Sequence, residues 1–438
     1  MKIKTIYTCG SCAYQVSKWV GRCPSCEEWN SFSEEEVKKE SAQSKKVASH
    51  ARTPQAYETL LNEAAREFRM PLGMGEVDRV LGGGIVPSSL TLLTGEPGIG
   101  KSTLTLQIAD KLCSGGKRVL YISGEEAERQ IAMRGKRLGL ELKGLNLLCE
   151  SDLETALATA EGVKAEFIIV DSIQVMHSGS APGNAGAVSQ VRFCTEVIME
   201  WAKRRGTSAL LIGHVTKDGT LAGPRVLEHL VDTVIYLEGS RQGELRILRS
   251  VKNRFGSTSE VGLFEMSQEG LLEVTDPAAL FVQEHDSKSF GTALTMTYEG
   301  SRPLILEIQA LTNTTVFGYP QRTTSGFDGK RLQLLVAVLE KYMGAKLGNQ
   351  DIYINVVSGY KLTDPRADLA LCLAILSSYY KKPLPQQTVF IGEVGLAGEV
   401  RSATRAAAKY QKHLAQQGFK LFETPKAMRA LSKLLFSA

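Results

Sequence analysis

The densest chemistry in the chain is Gly95-Glu96-Pro97-Gly98-Ile99-Gly100-Lys101-Ser102, followed by Thr103. Three glycines, then a cation and a hydroxyl, is the GxxxxGK[ST] spacing of a phosphate-cradling loop. Glycine lets main-chain N–H groups close on phosphate oxygens, and the helical segment Thr103–Leu112 that begins behind the motif adds its dipole. Lys101 is expected to reach the β- and γ-phosphates of ATP, and Ser102 to hold magnesium. Downstream, Phe167-Ile-Ile-Val-Asp171 reads as a buried strand that delivers one carboxylate at its carboxyl end, where α/β sheets bind ligands. Asp171 is the second expected magnesium ligand.

Hydrolysis of a phosphoanhydride also needs a group that orients and deprotonates water. Val119-Leu-Tyr-Ile-Ser-Gly-Glu125-Glu126 is a second strand ending in acids. Glu125 is the first candidate for that base and Glu126 the second. The competing reading is an acidic pair at a helix start. Leu210-Leu-Ile-Gly-His214 ends in an imidazole that could sense the γ-phosphate; its plainer reading is a strand-end histidine bonded to a backbone carbonyl.

A separate cluster lies near the amino end. Cys9-x2-Cys12 and Cys23-x2-Cys26 offer four thiolates at two knuckles, the donor set of structural tetrahedral zinc. Gly10 and Gly21 suit the knuckle backbone, and Trp19 and Trp29 are expected to pack on so small a module. A redox dithiol pair is the lesser alternative. The other four cysteines are scattered in apolar segments and receive no role.

These residues need a frame. Apolar runs at Leu90–Thr94, Val119–Ser123, Phe167–Asp171, Ala209–His214, Thr233–Leu237 and Leu245–Val251 alternate with helical stretches, which argues for a doubly wound, mostly parallel α/β sheet. Beyond it the pattern changes: strands at Leu304–Leu311, Ile352–Val357 and Thr388–Glu393, helices at Lys330–Tyr342, Asp368–Tyr379 and Thr404–Gln417. The expected organisation is a four-cysteine module over 1–32, a polar linker over 33–56, an ATPase core over 57–275 and a further α/β domain over 276–438.

Composition is that of an ordinary soluble chain: 438 residues, 43% hydrophobic, 23% charged, net charge +5. No apolar run reaches the length of a membrane span and no apolar signal core follows the basic amino end, so a cytoplasmic protein is expected. Residues 276–438 carry 19 Lys and Arg against 13 Asp and Glu. That basic third is compatible with a polyanion partner and equally with a solvated surface.

With these parts in order, the chain resembles the bacterial RadA (Sms) family of recombination and repair ATPases. The resemblance rests on CGSCAYQVSKWVGRCPSC, MGEVDRVLGGGIVPSSLTLLTGEPGIGKST, YISGEEA, IIVDSIQ, the Lys252-Asn253-Arg254-Phe255-Gly256 block, and DPRADLALCLAILSS with IGEVGLAGEVR at the end. It implies a RecA-like P-loop core within the superfamily of DnaB-type ring helicases, and a Lon peptidase-like carboxyl-terminal domain. It further implies ATP, Mg2+ and Zn2+, a hexameric ring, and DNA-stimulated movement on single-stranded DNA. The expected substrates are branched recombination intermediates, processed together with the RecA recombinase.

In such a ring Lys252 and Arg254 would act as fingers on the neighbour's nucleotide. The loops Met176–Ser189 and Thr216–Pro224, rich in Gly, Ser and Ala, would face DNA as mobile segments. Lys217, Arg225, Lys330, Arg331, Lys341 and Lys346 are candidate phosphate contacts. Set on the Lon pattern, Arg366 stands where the nucleophilic serine would be and Ala407 where its lysine would be, with Lys409 nearby. Neither position supports peptide hydrolysis. A RecA-fold switch acting on protein assemblies without moving on DNA is the main alternative, and an ATP-dependent protease the third.

Overall fold

The computed structural model describes residues 3–10, 14–38, 69–214, 224–239, 245–275, 282, 289–316, 318–401 and 407–431. The chain forms two compact units, residues 1–241 with 246–273, and residues 242–245 with 274–438. No described helix is long and apolar enough to cross a membrane.

At the amino end β1 (Ile3–Cys9) pairs antiparallel with β2 (Gln15–Val16) and β3 (Phe32–Lys38). The ladder with β3 runs without a break from Ile3↔Lys38 to Cys9↔Phe32. The charged stretch at 33–38 read as linker and is strand: β1 supplies hydrogen bonds that a composition rule does not register. The correction extends to the aromatic pair. Trp19 and Trp29 are 54% and 68% exposed, so they do not serve as an enclosed core.

The first unit is dominated by a nine-stranded sheet in the order β12-β11-β10-β9-β4-β8-β7-β5-β6. Six strands are parallel: β4 (Leu90–Gly95), β5 (Val119–Ser123), β6 (Asn146–Cys149), β7 (Phe167–Asp171), β8 (Ser208–Ile212) and β9 (Thr233–Glu238). β10 (Leu245–Asn253) adds on antiparallel, and β11 (Val261–Ser267) and β12 (Gly270–Glu273) form an antiparallel hairpin.

Strands β4, β5, β7 and β8 are buried along their whole length, as expected for a parallel sheet covered on both faces. Alternation sends Leu93, Tyr121, Ile169 and Leu210 to one face. There they meet α1 (Gly75–Leu81) and α2 (Lys101–Ser114). Leu92, Ile122, Ile168 and Leu211 go to the other, with α4 (Leu153–Gly162) and α5 (Val188–Arg205). Between these come α3 (Glu128–Arg137) and, after β8, α6 (Pro224–Leu230). The sequence reading missed β6 and β12, which are four residues each, and β11, whose run is broken by Gly262, Glu265 and Ser267.

The second unit holds a six-stranded sheet in the order β15-β16-β14-β13-β17-β20. The long hairpin β13 (Thr292–Glu299) and β14 (Arg302–Thr314) is followed by β15 (Arg322–Ser325), α7 (Gly329–Val338), β16 (Gln350–Val356) and α8 (Asp368–Tyr380). Then come β17 (Thr388–Val389), β18 (Glu393–Val394), β19 (Val400–Arg401), α9 (Ala407–Gln416) and β20 (Lys420–Leu421). Residues 368–378 of α8 are all buried, the pattern of a helix enclosed on every side.

The expected strand Thr388–Glu393 is two residues long in the sheet, because the chain turns off to pair β18 with β19. The expected helix Lys330–Tyr342 ends at Val338 in a wider turn over Leu339–Met343, closed by Gly344 at φ +68°.

Candidate nucleotide and metal sites

Strand register brings the predicted residues to one edge. Ser123 lies level with Asp171, Val170 with Leu211, and Leu93 with Ile212. The carboxyl ends of β4, β5, β7 and β8 therefore open together, and the loops leaving them share one edge. Glycine is required in the loop after β4. A Cβ on Gly95 would sit 2.3 Å from the Leu237 carbonyl oxygen, and one on Gly100 2.6 Å from Met266 Cε. Both have positive φ, +150° and +118°. Ile99 is buried and anchors the loop, while Glu96, Pro97 and Gly98 are exposed.

Lys101 opens α2 and is 4% exposed. Its Nζ donates to the carbonyl oxygens of Gly95 at 2.8 Å and Glu96 at 3.0 Å. Burial lowers its pKa to about 8, against the pull of the Asp171 and Glu125 carboxylates. Ser102 and Thr103 occupy the first turn of α2, half-buried. Asp171 is 8% exposed, and the Tyr121 hydroxyl donates to its Oδ2 at 2.7 Å. Burial beside this carboxylate raises the Tyr121 pKa, so the phenol stays a donor.

Glu125 and Glu126 part company. Ser172 Oγ donates to Glu125 Oε1 at 2.5 Å, and His214 Nε2 lies 3.5 Å from the same oxygen. Glu126 is ion-paired with Arg134 of α3. Of the two acids, Glu125 is the one that acts electrostatically on Lys101. His214 stands two residues past the end of β8 rather than within the strand. Its pKa is lowered by burial and by Lys101, and raised by Glu125 and Asp171. Lys101, Glu125, Asp171 and His214 thus form one electrostatic set, with positive and negative groups facing the mouth of a phosphate loop. Such a set suits a magnesium–nucleotide: a cation for phosphate, a hydroxyl and a carboxylate for the metal, and a separate carboxylate for water.

Three contributors escaped the sequence reading. Tyr121, inside the apolar run of β5, receives no role from the sequence, yet its hydroxyl reaches Asp171. Ser172 comes directly after Asp171. Gln174 donates to the His214 carbonyl oxygen at 3.4 Å. Only the pairing of β5, β7 and β8 shows that these three converge.

Lys252 and Arg254 are not at this edge. Lys252 pairs with Val234 and Asn253 with Thr233, and Thr233 lies level with Thr91. That is four residues below Gly95 along β4, or about 13 Å at strand rise. Both cations are also engaged at that far end. Lys252 Nζ donates to the carbonyl oxygens of Glu228 at 2.6 Å and Val231 at 2.8 Å, at the end of α6. Arg254 is 3.2 Å from the buried Asp232 carboxylate, which accepts from Leu90 N at the start of β4. The Arg254 side chain is nevertheless 51% exposed.

In the amino-terminal sheet the sulfurs of Cys9, Cys23 and Cys26 lie within 4.8 Å of one another, with Cys9 and Cys26 at 3.6 Å. Thiolates bound to one zinc at about 2.3 Å each stand nearly that far apart, so the donor set fits. Cys12 lies outside the described residues.

Of the proposed DNA loops, Thr216 and Lys217 lie outside the described residues, as does the side chain of Arg225. Met176–Ser189 is described, and its first half is tied down rather than loose: the side-chain amide of Gln190 in α5 bonds the main chain at Ser178, Ala181 and Gly183. Lys330, Lys341 and Lys346 are exposed. Arg331 instead pairs with Asp368, which is wholly buried. At the position matched to a peptidase serine, Arg366 grips Asp364 (Nε–Oδ1 2.9 Å) and donates to the Tyr410 hydroxyl at 2.5 Å. Ala407 opens α9, and the side chains of Ala407 and Lys409 lie outside the described residues.

Comparison with known proteins agrees with this layout. Three family models match: "AAA domain" over residues 75–220, "Rubredoxin metal binding domain" over 7–34, and "Subunit ChlI of Mg-chelatase" over 308–427. The chain is 46% identical over 428 residues to the DNA repair protein RadA of Bacillus subtilis (strain 168), covering 97% of this chain and 93% of that one. It is 43% identical over 426 residues to the protein of that name from Listeria monocytogenes, with the same coverage. The protein of that name from Halalkalibacterium halodurans is 45% identical over 421 residues, 96% of this chain and 92% of that one.

Proposed function

This chain belongs to the RadA family of DNA repair proteins, and we propose that it is a magnesium-dependent ATPase, stimulated by single-stranded DNA, that works as a ring. In the proposed ring each nucleotide site is completed by the neighbouring subunit. The proposed biological task is branch migration and processing of recombination intermediates alongside the RecA recombinase, with a ring of six.

One observation carries the reading. The groups suited to hydrolysis, Lys101, Glu125, Asp171 and His214, gather at one end of the sheet, while Lys252 and Arg254 stand at the other. Cations at the far end are of no use to their own subunit's nucleotide. They are in place for a neighbour's if subunits stack head to tail around a closed ring.

The proposed chemistry draws on this chain's own residues. The main-chain N–H groups of 95–102 hold the phosphates and Lys101 neutralises the γ-phosphate. Ser102 and Asp171 would hold magnesium, which supplies further charge neutralisation on the phosphate oxygens. Glu125, held by Ser172, accepts the proton of the attacking water. His214 would sense loss of the γ-phosphate at the root of the loop after β8. Arg254 of one subunit would stabilise charge on the nucleotide of the next. Cys9, Cys12, Cys23 and Cys26 would hold a structural zinc, leaving no open coordination position.

The Lon-like domain is proposed to be a platform without peptidase activity, since Arg366 and Ala407 offer neither nucleophile nor base.

The test is ATP turnover with and without single-stranded DNA, beside Lys101→Ala and Arg254→Ala. Strong stimulation lost in both variants supports the motor. Turnover indifferent to DNA, in protein that fails to bind it, favours a switch acting on protein assemblies.

A further inference from the structure

Arg69 stands at the entry to the core, before α1. Its neighbour Met70 is fixed by paired main-chain bonds with Ile85. The Arg69 guanidinium then reaches two separate turns. Nη1 donates to the carbonyl oxygen of Leu81, the last residue of α1, at 2.7 Å. Nη2 donates to the carbonyl oxygen of Phe255 at 2.6 Å, 186 residues further along the chain.

The first bond is ordinary capping, since the last carbonyls of a helix have no partner within it. The second has no such local reason. It leaves α1 and ends on the residue directly after Arg254. A guanidinium is a planar fork with donors at fixed angles, so it holds two carbonyls at one separation. Glycines make room for it. A Cβ on Gly82 would stand 3.4 Å from Arg69 Nη1, one on Gly83 3.5 Å from Arg69 Cδ, and one on Gly256 3.8 Å from Nη2.

The rest of the turn is held in the same way. Arg254 N donates to the Asp232 carbonyl oxygen at 3.1 Å, and Phe255 N to Asn253 Oδ1 at 3.0 Å. Main chain on both sides of the Arg254 side chain is therefore fixed, while that side chain is 51% exposed. A group that must meet a phosphate on another subunit gains from such a mount, because the turn need not be ordered at each encounter.

We propose that Arg69 is a positioning residue for Arg254, tying the turn that carries it to the end of α1. This rests on the reading of Arg254 as a finger on the neighbour's nucleotide. Arg69 lies outside the Lys101–Glu125–Asp171–His214 set, so its loss leaves its own subunit's nucleotide site intact. The damage falls on the next subunit's site.

The experiment measures ATP turnover of the full-length protein at saturating oligo(dT) for the parent, Arg69→Ala, Arg69→Lys and Arg254→Ala. Each is also mixed with Lys101→Ala protein, which keeps its finger and lacks a working site. Expected for Arg69→Ala is a fall in kcat of about 10²-fold with KM for ATP unchanged. Mixing should raise turnover above that of Arg69→Ala alone, because the Lys101→Ala neighbour brings a correctly held finger to an intact site. Arg69→Lys keeps the charge and loses the fork. It should fall by less and be rescued likewise, and it decides the matter if Arg69→Ala does not fold. Parental turnover in either folded variant overturns the proposal. So does a loss that mixing leaves unrepaired, which marks damage to the subunit's own core. Parental turnover in Arg254→Ala removes the finger reading itself and this proposal with it, a failure seen without any change at Arg69.

Discussion

Ser172 Oγ donates to Glu125 Oε1 at 2.5 Å, joining the residue after the Asp171 strand to the acid beyond the end of the neighbouring strand. The carboxylate is thereby fixed beside the phosphate loop, with His214 Nε2 3.5 Å from the same oxygen. Glu125→Gln is expected to lower kcat by about 10²–10⁴ while nucleotide affinity, measured by equilibrium binding, is kept. Ser172→Ala should lower kcat less and leave KM for ATP in place. Equal losses in Glu126→Gln would assign the base wrongly.

Tyr121 holds one oxygen of Asp171. Tyr121→Phe keeps the ring in its buried slot and removes the donor. The expected result is a several-fold higher Mg2+ concentration for half-maximal turnover, with maximal turnover recovered at saturating Mg2+. A curve that superimposes on the parent's would deny Tyr121 that role.

Arg254 is half-exposed at the far end of the sheet. Arg254→Ala should cut turnover by about 10³ or more if it acts as a finger. Mixing inactive Lys101→Ala with inactive Arg254→Ala protein should recover part of the activity, because a mixed ring contains sites with both groups. No recovery at any ratio would argue against action between subunits.

Asp368 is wholly buried and bound by Arg331. Arg331→Met strands that carboxylate and is expected to cost about 3–5 kcal/mol in denaturant melts that follow the carboxyl-terminal domain. Turnover should survive where the protein stays folded. A loss under about 1 kcal/mol would mean that Asp368 is compensated from elsewhere.

Cys9, Cys23 and Cys26 converge without any disulfide among the described cysteines. Purified protein should carry one zinc per chain by elemental analysis. Cys23→Ser should lose it, with protease sensitivity confined to the amino-terminal sheet. Full metal content in that variant would refute the assignment.

The sequence by itself determined what repeats locally. The phosphate loop was legible because it depends on contiguous residues. Burial of β4, β5, β7 and β8 was legible because a parallel sheet covered on both faces needs unbroken apolar runs. The cysteine pairs were legible because metal geometry fixes their spacing.

Tertiary structure decided everything that depends on register between strands. It separated Glu125 from its neighbour Glu126, since one faces Lys101 and the other meets Arg134 on α3. It brought Tyr121 of β5 together with Ser172 and Gln174 of the segment after β7, two stretches that no spacing rule connects. It set Lys252 and Arg254 at the opposite end of the sheet, a distance along β4 that appears nowhere in the order of residues. It also turned a glycine-rich loop into a clamped one, because the amide that orders it comes from the helix beyond. Polar side chains act through partners brought close by folding, and one sequence leaves those partners unspecified.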